Sequence, residues 1–317
     1  MKKQENKTPA EALSFIKYLE SKGLADNTVE SIYGDVMPYL NWCEEENIEA
    51  EQSTHTEILA YIKHIQKRGI KQRTVQIYTG SLKHYFSWLI KREIREDNPI
   101  RSINIKGIKR QYLYDILKKQ ELETLYETFE IPQENNPNKK QNWYKVSLLT
   151  SKRNKVMLGL MIWQGLGARE LSKLTLKDIK LREGTICIQG TRRNNERELK
   201  LEAHQILDLM EYTLQVRQEI VQLSKNQQSQ SLFIGIAGGN NFSNLMTKLM
   251  QKLNQQNPRI ENAKQIRASV ITHWLKHYNL RQVQYMAGHR YVSSTEAYLI
   301  NDLEGLQEDI AKFHPIG

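Results

Sequence analysis

Apolar side chains return every three or four positions through the first part of the chain, the spacing of helices that bury one face. Leu13, Phe15, Ile16 and Leu19 form the first stripe, which begins near Pro9 and closes at Gly23, a residue suited to a helix C-cap. Val29, Ile32, Val36, Leu40 and Trp42 form the second; Asn27 and Thr28 offer its N-cap, and Pro38 offers a kink. An acidic loop, Glu44 to Glu51, follows. Thr54 or Thr56 opens a third helix with Ile58, Leu59, Ile62 and Ile65, ended by Gly69. Thr74 starts a fourth with Val75, Tyr78, Leu82, Tyr85, Phe86 and Leu89, and Asn98-Pro99 stops it.

Residues 100–112 lose the helical period and carry basic groups, so they read as an extended linker lying along a polyanion, or as a plain tether. Beyond residue 118 the helical spacing returns. Helices are predicted over Lys119 to Phe129, Asn154 to Gln164 and Ala168 to Leu174, with a polar loop from Pro132 to Asn142 and a break at Gly165. Two short alternating segments, Thr185 to Gln189 and Glu198 to Leu201, flank a polar run and predict a β-hairpin with a long loop. Helices then follow at His204 to Leu223, Ser243 to Asn254, Ala263 to Tyr278, Leu280 to Ala287 and Ser294 to Leu299. The expected fold is mainly α in two domains: a helical unit over 1–99, a basic linker over 100–117, and a mixed, mostly α unit with a small β-hairpin over 118–317.

Composition sharpens this picture. At 317 residues, 39% hydrophobic and 26% charged, the chain is globular and long enough for two cores. It has no apolar run long enough to span a membrane, and its opening MKKQENKTPAEAL lacks the apolar region of a signal peptide. Cys43 and Cys187 fit no metal spacing, so a reducing cytoplasm is the expected setting. The net charge of +10 favours a polyanionic partner. The excess is not spread evenly: residues 1–70 hold 8 basic and 12 acidic side chains, residues 71–110 hold 10 and 3. Such a reversal predicts one face built for phosphate.

The chemistry concentrates near the C-terminus. Lys264-Gln265-Ile266-Arg267 opens one predicted helix, and Met286-Ala287-Gly288-His289 is followed by Ser293-Ser294-Thr295-Glu296 and by Tyr298, nine residues after His289. This order and spacing resemble the tyrosine recombinase (phage integrase) family, which pairs a His-x-x-Arg helix start with a Gly-His turn and a tyrosine nine residues on. The likeness extends to the whole layout, a SAM-like helical domain, a basic linker and a helical catalytic domain with a hairpin. It implies a site-specific recombinase that cuts and rejoins duplex DNA through a 3′-phosphotyrosyl linkage at Tyr298, needing no metal and no cofactor. Arg267 would bind non-bridging oxygens, and His289 would contact phosphate or manage the tyrosine proton.

Three positions depart from that pattern. Gly167 stands where the resemblance places a first arginine, three residues before Glu170; Arg169 is displaced by two residues, about 200° around a helix. Lys264 takes the histidine position and keeps a donor. The hairpin carries Arg192 and Arg193 where the family usually has a lysine acid, and a guanidinium is a poor proton donor. Arg169, Arg192 or Arg193 would then have to replace the missing charge. These departures leave open an alternative, a catalytically impaired DNA-binding relative with an architectural or regulatory role; an ordinary helical regulator is a third reading.

The resemblance further implies phosphate contacts from Lys71, Arg73, Lys83, Lys91, Arg92 and Arg95, and from Lys106, Lys109 and Arg110 in the linker. Leu303, Leu306, Ile310 and Phe313 form an apolar stripe that packs on its own domain or, as the resemblance implies, docks on a neighbouring protomer in a homotetramer on DNA.

Overall fold

A computed structural model describes residues 9–106, 114–133, 136–191, 194–224, 228–236 and 242–299. The chain divides into two compact units, Met1–Arg110 and Gln111–Gly317.

The first unit is four helices: α1 (Pro9–Ser21), α2 (Asp26–Glu45), α3 (His55–Lys67) and α4 (Gln72–Lys91). Their apolar stripes meet in a core rich in aromatic rings. Tyr39 and Tyr61 are fully buried and meet edge to face at 5.2 Å, and the Tyr39 hydroxyl donates to Ser53 Oγ at 2.6 Å, which makes its burial affordable. Thr54, rather than Thr56, caps α3: the Glu57 N–H donates to its hydroxyl while Glu57 Oε2 accepts from the Thr54 N–H at 2.6 Å. Asn27 and Thr28 are not caps, because α2 starts before them at Asp26, and it continues through Pro38. Likewise α4 starts at Gln72, ahead of Thr74.

The expected linker is narrower than 100–117. Ile100 is fully buried in the first core, with Ile103 and Ile105 packed against it. Lys83 Nζ donates to the Ile103 carbonyl at 3.2 Å, and Gln72 Nε2 to that of Lys106 at 3.2 Å. At the far end Leu117 is fully buried in the second core and donates its N–H to Ser269 Oγ at 3.0 Å. Alternating isoleucines lack a helical period but still form one apolar edge, and that edge found a core. Lys109 and Arg110 lie outside the described residues.

The cationic face of α4 also changes. Lys71 and Arg73 are exposed at its start, Lys91 and Arg92 at its end, about 30 Å apart by helical rise. Lys83 is turned inward to residue 103. Arg95 lies past the helix and is a packing residue: its side chain is 9% exposed, and its guanidinium donates to the carbonyls of Glu51, Ser53 and Asp97, pairs with Asp97 Oδ1 at 2.8 Å and covers the Phe86 ring. Neither Lys83 nor Arg95 is presented to a ligand as the sequence reading expected.

The second unit is built around α6 (Asn142–Ile162), preceded by α5 (Lys119–Glu127). Met157, Leu158, Leu160 and Met161 are all fully buried, so this half of α6 is a central helix covered on every side. Its first half was not legible as helix because it mixes Lys, Ser, Thr and Arg, yet Tyr144, Leu149 and Arg153 are buried there. Short α7 (Ala168–Leu171) follows Gly165, whose φ of +59° reverses the chain where a Cβ would meet the Trp274 ring at 2.8 Å. The hairpin has a third strand. β1 (Ile179–Lys180), β2 (Thr185–Ile188) and β3 (Arg197–Lys200) form an antiparallel sheet in that order, with Ile188 opposite Arg197. A two-residue strand is too short to show alternation. The helix expected over His204 to Leu223 is α8 (Ala203–Glu211) and α9 (Arg217–Leu223) joined by a π-helical turn. Then come α10 (Phe242–Gln256), α11 (Ala263–His277), α12 (Leu280–Ala287) and α13 (Ser293–Glu296). Among the described residues no helix is long and apolar enough to cross a membrane.

Arg95 gives a direct check. Arg95→Ala should lower unfolding free energy by about 2 kcal/mol or more, since it strands buried carbonyls, whereas exposed Arg73→Ala should stay within about 0.5 kcal/mol. Urea unfolding of the full chain measures both; equal effects would contradict the assignment.

Candidate active site

Asn262 caps α11, accepting from the N–H groups of Lys264 and Gln265, and so fixes the helix start just over one turn before Arg267. The Arg267 guanidinium points inward. Nη1 donates to the Gly165 carbonyl and to Glu170 Oε2 at 2.7 Å, and Nη2 donates to the Ala287 carbonyl at 2.6 Å. Three of its five N–H donors are thereby committed. Glu170, on α7, is 7% exposed. Its other oxygen accepts from Arg197 Nη1 at 2.8 Å and Asn194 Nδ2 at 3.0 Å, and Oε2 also accepts from the Gly167 N–H at 3.0 Å. Burial pushes the Glu170 carboxyl up, but Arg267, Arg197 and these hydrogen bonds outweigh it and hold the group ionised, below its ordinary range.

The hairpin loop closes onto the end of α12. Gly288 ends that helix at φ +69°, in the left-handed region, and Asn195 N–H donates to its carbonyl at 2.9 Å. Asn194 and His289 form an antiparallel bridge. A Cβ on Gly288 would lie 2.3 Å from Arg197 Nη1, so glycine is required twice over, by its φ and by the arginine.

His289 is buried, and its Nδ1 bonds to Thr295 Oγ1 at 2.9 Å. Burial, then the charges of Arg267 and Arg197, pull its pKa from 6.5 down to about 4, with Glu170 opposing. The imidazole is therefore neutral at pH 7. Tyr298 lies in the turn after α13, not within the helix expected to run to Leu299. Its half-buried ring stacks on His289 at 5.8 Å and 11°, and packs against the small cluster of Ile271, Val283 and Ala287.

The fold thus brings Arg267, His289 and Tyr298 into one neighbourhood. Lys264 and Arg169 are exposed and instead line a broad open groove with Tyr114, Phe242, Met246 and Asn262. Arg169 also lines a small pocket with Glu170 and Asn194, at the exposed edge of that cluster. Arg192 and Arg193 lie outside the described residues. Sequence reading passed over Arg197, Asn194 and Thr295. The signal for Arg197 was its alternation with Leu199: on β3 these two are buried, while Glu198 and Lys200 are exposed.

Comparison with known proteins defines the class first. The fold is that of DNA recombinases: the site-specific recombinase XerH bound to palindromic difH substrate, a post-cleavage complex, superposes with a TM-score of 0.67 at 19% identity, covering 93% of this chain and 82% of that one. The Tn1549 transposon integrase in complex with a circular intermediate DNA gives 0.62 at 13% identity, covering 90% and 93%. Residues 115–304 match the phage integrase family, and residues 13–96 match the phage integrase N-terminal SAM-like domain. The chain belongs to the phage integrase family. The tyrosine recombinase XerD of Oceanobacillus iheyensis is 26% identical over 300 residues, 93% of this chain and 94% of that one. XerC of Actinobacillus succinogenes is 31% identical over 166 residues, 51% and 54%. The chain spans about half the length of the first curated relatives it matches.

The buried histidine predicts a pH dependence. As pH falls from 6.5 towards about 4, the unfolded chain takes up a proton on His289 that the folded site refuses, so stability present near neutrality is lost across that window, on the order of 3 kcal/mol in full. Thermal unfolding between pH 7 and 4.5 should show this slope, and His289→Gln should flatten it. An unchanged slope in the variant would contradict a neutral His289.

Proposed function

We propose that this protein is a site-specific DNA recombinase that cuts and rejoins duplex DNA through a 3′-phosphotyrosyl linkage at Tyr298. The observation that carries the reading is the stacking of the half-buried Tyr298 ring on a neutral His289, in a site whose fixed charges are two guanidinium groups and one carboxylate. That site holds a net positive charge and attracts one phosphodiester.

In the proposed step the Tyr298 oxygen bonds to phosphorus, and the bond to the 5′-oxygen breaks. The phenolic proton leaves and the 5′-oxygen gains one, so no proton is lost or made overall. His289 serves this exchange in either tautomer. With Nδ1–H donating to Thr295, Nε2 accepts a proton; with Nδ1 accepting, Nε2–H donates to the phosphate. The two N–H groups of Arg267 not engaged with Gly165, Glu170 or Ala287 bind a non-bridging oxygen as its charge develops. Rejoining reverses these moves with a new 5′-hydroxyl, so the linkage conserves the bond without metal or nucleotide. Lys264 and Arg169, lining the open groove, bind flanking phosphates, as do Lys71, Arg73, Lys91 and Arg92. Arg192 and Arg193, from the hairpin turn, and Lys106, Lys109 and Arg110 add backbone contacts. We further propose that the protein works as a homotetramer on DNA, joined through the apolar stripe of residues 303–313.

Incubation with a pool of nicked, randomised duplexes should trap a covalent adduct on a denaturing gel. Tyr298→Phe should abolish it, and Arg267→Ala should slow it by about 10²–10³-fold. An adduct that survives Tyr298→Phe would refute the nucleophile; DNA binding with no adduct at all would favour the impaired architectural relative. Deleting residues 301–317 should convert tetrameric DNA complexes to smaller ones in analytical ultracentrifugation, and unchanged complexes would exclude the tail as the joint.

A further inference from the structure

Either tautomer of His289 would serve the exchange, and the hydroxyl beside its ring distinguishes them. Thr295 belongs to α13, is 0% exposed, and holds Oγ1 at 2.9 Å from His289 Nδ1. Its N–H donates to the Val292 carbonyl at 2.7 Å, which fixes the turn that carries the hydroxyl. Among the described residues the Nδ1 contact is the only hydrogen bond of the Thr295 side chain, and His289 Nε2 makes none. That nitrogen is not sealed: His289 keeps 9% of its surface exposed, and Nε2 is not one of the buried polar atoms left without a partner.

Two arrangements fit the contact. In the first, Nδ1–H donates to Oγ1, and the hydroxyl hydrogen is left fully buried with no acceptor among the described residues. In the second, the hydroxyl donates to an unprotonated Nδ1, and both groups are satisfied. A buried donor without an acceptor is disfavoured by about tenfold or more, so the second arrangement prevails. A neutral imidazole carries one N–H, and the bond made by one nitrogen fixes the state of the other. With Nδ1 accepting, the hydrogen sits on Nε2, at the open edge of the ring. Arg267 and Arg197 keep a second proton off.

We infer that Thr295 is a positioning residue: its hydroxyl donates to His289 Nδ1 and so fixes the tautomer whose Nε2–H donates to a non-bridging oxygen of the scissile phosphate. Of the two roles open to His289, it takes the donor's and not the base's. The phosphate contact rests on the phosphotyrosyl reading above; the choice of tautomer does not.

Nitrogen NMR of the full chain with isotope-labelled histidine reads the tautomer at pH 7, and the spectrum of His289→Ala assigns the signals. His289 should show an unprotonated Nδ1 and a protonated Nε2. Thr295→Val, which keeps the shape and removes the hydroxyl, should draw the two nitrogen shifts towards each other, and Thr295→Ser should hold them apart. On a nicked duplex that gives an adduct with the wild type, Thr295→Val should slow adduct formation by about tenfold, the weight of one hydrogen bond, while Thr295→Ser stays near the wild type. Because Thr295 acts through His289, Thr295→Val should slow His289→Ala no further. A protonated Nδ1 in the wild type would overturn the inference, however the variants fold. So would a full tenfold loss in the His289→Ala background. A wild type with the expected tautomer that forms no adduct on any duplex removes the phosphotyrosyl reading, and the phosphate contact with it; the spectrum, taken without DNA, separates that failure from a wrong tautomer.

Discussion

The site is organised by one buried carboxylate. Glu170 accepts from Arg267 of α11, Arg197 of β3, Asn194 of the hairpin loop and the backbone of Gly167. These groups come from three separate stretches of the chain, and no local preference would assemble them. A carboxylate taken out of water is tolerated only when its lone pairs are filled and its charge is matched. Glu170 therefore fixes where helix, sheet and loop meet, and the meeting point carries one positive charge more than it needs.

That surplus sets the properties of its neighbours. His289 is pushed towards its neutral form by burial and by both arginines. Its ring is oriented by Thr295 on one side and by the Tyr298 ring on another. The same two arginines that repel a proton from the imidazole hold Glu170 ionised. Backbone pairing between the hairpin loop and the Gly288–His289 turn keeps these parts in register.

Much of the architecture was legible because helices that bury one face must show it as a three-to-four-residue period. The four helices of the first unit, α10 and α12 follow that rule closely, whereas α11 is buried on every side over residues 268–272. The first half of α6 does not, because Lys, Ser and Arg interrupt its apolar face. The supposed linker misled for a related reason: Ile100, Ile103 and Ile105 give no helical period, yet burial does not require one. Arg95 and Lys83 show the limit of counting charges, since a long cationic side chain can turn inward to carbonyl groups as readily as outward to phosphate. Arg267, His289 and Tyr298 were singled out by spacing along the chain, whereas Arg197, which packs against Glu170, was hidden in a run of hairpin polar residues.

Read alone, the amino-acid order settled the helical class, the division into two units and the nine-residue relation of His289 to Tyr298, since each of these is a short-range regularity. It did not settle which cations face inward. That choice depends on where buried acceptors and carboxylates lie once distant segments have packed, and a guanidinium looks the same in a list of residues whether it ends in water or against Glu170. Arg197 and Arg169 stand on opposite sides of that decision: one strand's alternation turned Arg197 into the ion cluster, and two residues of helical phase left Arg169 at the surface.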